Sequence, residues 1–291
     1  MSQYLITQLL NGLIVGSLYI LLSIGLTIIF GMLGIVNFAH GAIYMLGAYA
    51  AYTVVDLLSG NFLIAILVVP VVIGLIGAFL ETTLLRRLYN VEPFYNLLLT
   101  FGLMLAIQDA VRIGYGPEGE PFNIPGALLG AVNLGITYYP KYRLFIFIIT
   151  ALCSMGLILF LERTKLGSII RAGTENSDMV DALGIDIGKI FTLVFGIGAA
   201  LAGLAGVLAA PIQNVEPAMG MNFLVETFVV VVVGGMGSII GSIIAGLIIG
   251  ETLTIGVLIW PPMATTLIYI FMAVILLIRP RGLFGRAEFH D

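Results

Sequence analysis

Apolar and polar positions are segregated along this chain into long blocks. Apolar stretches run roughly over 4–30, 38–58, 62–85, 97–115, 144–161, 190–210, 223–233, 239–258 and 264–278. A helix needs about 20 mostly apolar residues to cross a bilayer. The pattern therefore predicts an all-α, polytopic membrane bundle of about eight to ten transmembrane segments, some of them broken or re-entrant. The stretch 223–233 crosses only if it continues through the Gly-Gly-Met-Gly that follows.

Two polar segments interrupt the blocks. GPEGEPFNIPG, at 116–126, is rich in Pro, Gly and acid and should turn repeatedly in water. It opens an extracytoplasmic loop over about 116–142. The second segment, TKLGSIIRAGTENSDMVDALGIDIGK at 164–189, carries much of the chain's charge and has no spanning potential. Lys and Arg favour the cytoplasmic side of a membrane. Of the 12 in the chain, Arg86, Arg87, Arg163, Lys165, Arg171, Lys189, Arg279, Arg281 and Arg286 can share one side, which places 164–189 in the cytoplasm. Arg112, Lys141 and Arg143 flank the opposite loop. With nine crossings, the N-terminus lies outside and the C-terminus inside. These loops are too short to fold alone, so residues 1–291 read as a single transmembrane domain. The opening MSQYLITQLLNG lacks a basic region and a cleavage site, and reads as the start of the first helix.

Composition strengthens this picture. The 291 residues are 60% hydrophobic and 10% charged, against about 25% charged in soluble domains. Mean hydropathy is +1.14. The 36 glycines suit close helix packing in lipid. A net charge of −4, with no basic cluster, gives no footprint for nucleic acid. The single Cys153 excludes an intrachain disulfide and a Cys-based metal set.

Motifs for enzymatic chemistry are missing. GIDIGKI, at 184–190, has three residues between its glycines where a phosphate-binding P-loop has four, and Ile190 where a magnesium-holding hydroxyl belongs. GGMGSIIG, at 234–241, has the wrong spacing for a dinucleotide site. It reads as a helix break at Gly234, Gly235 and Gly237. His40 and His290, the only histidines, have no partners at metal-ligand spacing. The residues point to no catalytic site, no metal and no cofactor within this chain.

The polar residues inside apolar blocks each admit two readings. GIVNFAHGAIYMLG, at 34–47, sets Asn37 and His40 among glycines. If the segment is helical, Asn37 shares a face with His40 and Gly41. Polar groups in a bilayer face the bundle interior or a wet cavity, and broken helices are typical of solute pathways. The segment therefore lines or supports a translocation route; alternatively, Asn37 and His40 bond neighbouring helices or cap the second one. Glu226 and Glu251 could serve a proton pathway, or sit near a membrane edge or pair with a backbone amide. Asp109 and Arg112 can neutralise each other, and Glu81, one turn from Arg86, reads as interfacial. In the loop, a short helix around 171–186 would align Glu175, Asp178 and Asp181 on one face and Met179, Ala182 and Leu183 on another, with Gly184 as its stop. That surface suits docking on a partner; a solvated amphipathic turn is the other reading.

Three stretches resemble one family. Arg-Ala…Glu-Asn…Ala-Leu-Gly-Ile followed by FGIGAALAGLAGVLAA, at 171–210, resembles the cytoplasmic coupling loop of bacterial ABC-importer permeases. GMLGIVNFAHGAIYMLGAY and GGMGSIIGSIIAG are similar to hallmarks of the branched-chain amino acid permeases of the high-affinity Liv type. The likeness spans essentially the whole chain. It implies a multi-pass subunit of the bacterial inner membrane that works with a homologous second permease subunit, two cytoplasmic ABC ATPase subunits and a periplasmic solute-binding protein. ATP and Mg would be bound on the partner ATPases. It also implies that Arg171, Ala172, Glu175, Asn176, Ala182, Leu183 and Gly184 belong to the coupling element. Urea, short amides or aromatic acids are alternative cargoes, and an ion-gradient-driven secondary transporter is the alternative class.

Overall fold

The computed structural model describes residues 2–57, 61–89, 91–135 and 137–285. The readings of His290 and Arg286 lie outside them. Helices α1 (Ser2–Leu33), α2 (Ala39–Leu57), α3 (Phe62–Thr83), α4 (Pro93–Tyr115) and α5 (Lys141–Arg163) form the first half of the chain. Short helices α6 (Lys165–Glu175) and α7 (Ser177–Ala182) precede α8 (Ile187–Ala209), α9 (Met219–Gly234), α10 (Ile239–Ile259) and α11 (Ala264–Ile278). Among the described residues, seven segments are long and apolar enough to cross a membrane, and α2, over the apolar stretch 38–58, is not one of them. The apolar α9 has 16 residues and stops at the glycines. The chain is a multi-pass helical membrane protein.

Polar caps set many of the helix ends. Asn61, Thr164, Asp186 and Ser238 each accept a hydrogen bond from a backbone N–H in the first turn of the helix that follows, satisfying donors that a helix cannot pair internally. Pro93 opens α4, where its missing N–H costs nothing.

The 116–142 segment is more ordered than its composition predicts. Strands β1 (Ala131–Asn133) and β2 (Tyr138–Pro140) pair antiparallel, with Val132 opposite Tyr139. Glu120 and Val215 form an isolated backbone bridge.

Two compact units divide the chain. The first comprises 1–24, 124–154 and 225–291; the second comprises 25–123 and 155–224. In the first, α1 and α10 pack along a glycine seam. A Cβ on Gly16 or Gly250 would run into the facing backbone, at Gly246 and Gly12 respectively. Small residues here let two backbones approach to van der Waals contact, the main attraction available between helices in lipid. The second unit is built on α8, which packs against α2 and α3. Gly47 meets Gly203, Gly206 meets the Tyr44 carbonyl, and Gly196 meets Gly74. Its far end is aromatic: Tyr49 and Tyr115 lie with ring centroids 4.7 Å apart, and Tyr52 contacts both Tyr115 and Phe122.

Candidate functional site

The 164–189 segment is not the single short helix its spacing suggested. Asn176 adopts an extended conformation, φ −157°, and ends α6. Its side chain then accepts the Met179 N–H at 2.9 Å and starts α7. Glu175 consequently belongs to α6, whereas Asp178 and Asp181 lie on α7, so the three acids do not form one continuous helical stripe. Gly184, at φ +84°, follows α7 in the left-handed conformation. Asp186 caps α8 and pairs with Lys189 at 3.0 Å. Those hydrogen bonds to Lys189, side chain and backbone, hold its carboxyl below the usual Asp range.

Only part of this segment is anchored. Gly167 sits against the Phe160 and Leu161 carbonyls, Gly173 against Met32 of α1 and Ile187, and Val180 is buried. Arg171, Ala172, Glu175, Asn176, Ala182, Leu183 and Gly184 are all exposed. Met179 and Leu183 are 64% and 76% exposed. Two large apolar side chains are thus exposed, Met179 on the short, polar α7 and Leu183 at its C-terminal cap.

Behind the segment lies a cluster that sequence reasoning missed. Glu81 of α3 is fully buried. Its carboxylate accepts the Arg86 Nε–H and one Nη2–H at 3.1 Å, the Tyr89 hydroxyl at 2.6 Å and the Thr192 hydroxyl at 2.7 Å. Arg86 also donates to the Gly188 carbonyl at 2.8 Å and to Thr192. The acid therefore fastens the end of α3 to the start of α8. The Glu81–Arg86 spacing was a visible signal; Tyr89 and Thr192 enter only through the fold.

The 34–41 segment departs from a helix. α1 ends at Leu33, residues 34–37 are non-helical, and α2 begins at Ala39. Asn37 and His40 do not share a helical face, because Asn37 lies before α2, where its carbonyl accepts the His40 N–H at 3.3 Å. Asn37 and His40 are both fully buried. Among the described residues, neither polar atom of the Asn37 amide has a hydrogen-bond partner, so it caps nothing there. Gly25 leaves room for the His40 ring, and Gly41 lets α2 meet the Gly220 backbone.

At the third glycine stretch, Gly234 ends α9, and Gly235 and Gly237 take φ +100° and +83°. The freed carbonyls are satisfied locally. Val233 and Gly234 accept the N–H groups of Leu283 and Phe284 at 2.8 and 3.0 Å. Among the remaining intramembrane acids, Glu226 accepts the Tyr19 hydroxyl rather than a backbone amide. Glu251 lies over Gly12, and its Oε2 has no partner among the described residues. Asp109 and Arg112 pair at 3.6 Å. Among the described residues, no group of three His, Cys, Asp or Glu could hold a metal.

Comparison with known proteins shows the family of this chain. Residues 8–278 match the family described as branched-chain amino acid transport system / permease component. The chain is 33% identical to the high-affinity branched-chain amino acid transport system permease protein BraD of Pseudomonas aeruginosa, covering 97% of this chain and 96% of that one. It is 30% identical to the permease protein LivH of Escherichia coli K12, over 98% and 97%. The high-affinity branched-chain amino acid transport system permease protein LivM of the same bacterium is 26% identical over 80% of this chain and 60% of its own length. No solved structure matches. A match across nearly the whole length, on a multi-pass helical scaffold, places this chain in the permease-component family of branched-chain amino acid transport systems.

Proposed function

We propose that this chain is a transmembrane subunit of an ATP-driven importer for branched-chain amino acids in the bacterial inner membrane. In this reading 164–189 faces the cytoplasm, 116–142 faces a periplasmic solute-binding protein, the N-terminus is periplasmic and the C-terminus cytoplasmic. A second, homologous permease subunit completes the pathway, and two separate ATPases bind ATP and Mg.

The supporting observation is the exposed pair Met179, on α7, and Leu183, just past its end. Apolar side chains on a charged surface segment are a mark of an interaction surface. Caps at both ends and the anchors at Gly173 and Val180 hold this surface to the transmembrane helices. Closure of an ATPase pair around Arg171, Ala172, Glu175, Asn176, Ala182, Leu183 and Gly184 would push on α8 through Asp186 and the Glu81 cluster. Asn37, His40 and Gly41, at the break between α1 and α2, would then line or support the route that opens.

The test is co-purification with the ATPases and sister permease, followed by ATPase and uptake assays with the loaded binding protein. Met179→Asp combined with Leu183→Asp should abolish stimulation while the subunit keeps its thermal midpoint. Stimulation at the wild-type level in this variant, or solute uptake by the chain alone, would overturn the reading.

A further inference from the structure

Among the described residues, Glu81 is the only carboxylate that is fully buried. A buried ion pair is a poor source of stability, because apolar side chains of the same volume often serve as well or better. What a buried, multiply hydrogen-bonded charge does supply is direction, since each partner must sit at a set place around it. The places set by Glu81 therefore matter more than the strength of its bonds.

Those places lie on separate elements of the second unit. Arg86 belongs to the 3₁₀ turn Leu85–Leu88 after α3, and Tyr89 follows that turn. Thr192 lies in the first turns of α8, directly beyond the Asp186 cap and the coupling segment. Tyr89 is gripped twice. Its hydroxyl donates to Glu81 at 2.6 Å, and its ring stands edge-on to Phe191 of α8, with centroids 5.3 Å apart. The same Tyr89 forms part of the wall of a cavity of about 380 Å³, which Gly34, Ile35 and Val36 also line. Packed interiors leave few voids larger than a water molecule. Space beside a non-helical stretch gives that stretch room to move.

We propose that Glu81 is a positioning residue of the transport cycle: it binds Tyr89 and the end of α3 to the first turns of α8, so that movement of the coupling segment reaches the break between α1 and α2. This inference rests on the transport reading above and carries the stroke one step further, from α8 to residues 34–36. The exposed docking residues on α6, on α7 and at 183–184 lie outside the clasp. Loss of the clasp should therefore leave ATP hydrolysis responsive and disconnect it from solute movement. Glu81→Gln turns one acceptor oxygen into a donor that faces the donors of Arg86, Tyr89 and Thr192. Thr192→Val keeps the shape and loses the hydroxyl, which both donates to Glu81 and accepts from Arg86. Thr192→Ser keeps that hydroxyl.

The experiment uses the assembled importer in liposomes, with its ATPases, sister permease and loaded binding protein, and reads radiolabelled leucine taken up per ATP hydrolysed. Glu81→Gln and Thr192→Val should keep stimulated hydrolysis within about twofold of wild type while leucine moved per ATP falls about tenfold. Thr192→Ser should restore the ratio. A second readout follows the break itself. With Cys153, the single native cysteine, replaced by Ala, Val36→Cys should react with a maleimide at different rates in the nucleotide-free and vanadate-trapped complexes, and adding Thr192→Val should abolish that difference. A wild-type uptake ratio in Thr192→Val, a proportional fall of hydrolysis and uptake in that variant, or a labelling difference that is absent from the Val36→Cys protein or survives Thr192→Val would each overturn the inference. Because Thr192→Val leaves the Glu81–Arg86 pair in place, it carries the test even where Glu81→Gln does not fold. A wild-type complex whose hydrolysis ignores the binding protein would refute the transport reading instead.

Discussion

Two breaks in the helical chain, at 34–38 and at 235–238, both open on a glycine but differ in how their polar groups are met. Each opens with a glycine in the left-handed region, Gly34 at φ +64° and Gly235 at φ +100°. Each occurs in a chain whose surroundings are lipid, where an unpaired backbone group costs several kcal/mol. The second break is closed by its own unit: residues 283 and 284 donate to the end of α9, and Ser238 caps α10 at 3.1 Å from the Gly241 N–H. The first break leaves the fully buried Asn37 side-chain amide with no partner among the described residues. A satisfied break is structural. One with buried, unspent hydrogen-bonding capacity is suited to a ligand or to a second conformation.

The sharpest way to break that contrast is to fill the closed junction. A Cβ on Gly235 would lie against the Gly285 and Arg281 backbone. Gly235→Val should therefore cost about 2–5 kcal/mol, from left-handed strain and overpacking together. Low yield and an early thermal transition in detergent would register it; a wild-type midpoint would mean that the break is not the tight junction described. Asn37→Leu should do the reverse. Removing a buried unsatisfied amide relieves a penalty of about 1–3 kcal/mol, so the thermal midpoint should rise while uptake by the assembled importer falls. A stabilised variant with full uptake would reduce Asn37 to a tolerated defect.

Gly34→Ala gives a smaller effect. Nothing lies within 4 Å of a Cβ there, so only the dihedral penalty of about 1–2 kcal/mol remains. Comparing its midpoint with that of Gly235→Val separates conformational strain from crowding. The smallest effect concerns the exposed cap of α8. The Asp186 carboxyl titrates below its ordinary value of 3.8 because it bonds Lys189. A carboxyl depressed in the folded state stabilises above the unfolded value, and loses that contribution as pH falls through the folded one. Asp186→Asn should therefore lower stability slightly near neutral pH and flatten the acid limb, the two proteins converging as pH falls through the folded pKa. An identical acid limb in both proteins would show that the cap carries no net electrostatic stabilisation.

Much of this was readable before any fold was known. The apolar blocks gave the spanning helices, because in lipid the backbone must pair within its own segment and hydropathy becomes a one-dimensional code. Gly184, with the polar run before it, marked the end of a loop helix. The Gly-Gly-Met-Gly stretch marked an interruption. Other features were out of reach. Asn176 is an unremarkable polar residue in sequence, yet as a cap it splits the loop helix in two. The hairpin at 131–140 depends on pairing across a turn, which composition alone did not reveal.

The sequence by itself determined the solvent, the approximate spans, the polar loops and the family. What only the tertiary structure decided is which buried polar groups are quenched. Glu81, the more costly residue to bury, receives Arg86, Tyr89 and a threonine 111 positions away. Asn37 and Asn96, far cheaper in sequence terms, are left with open valences. The reason is physical: burying a polar group carries a penalty set by its chemistry, but the compensation comes from whatever distant side chain the packing brings within about 3 Å.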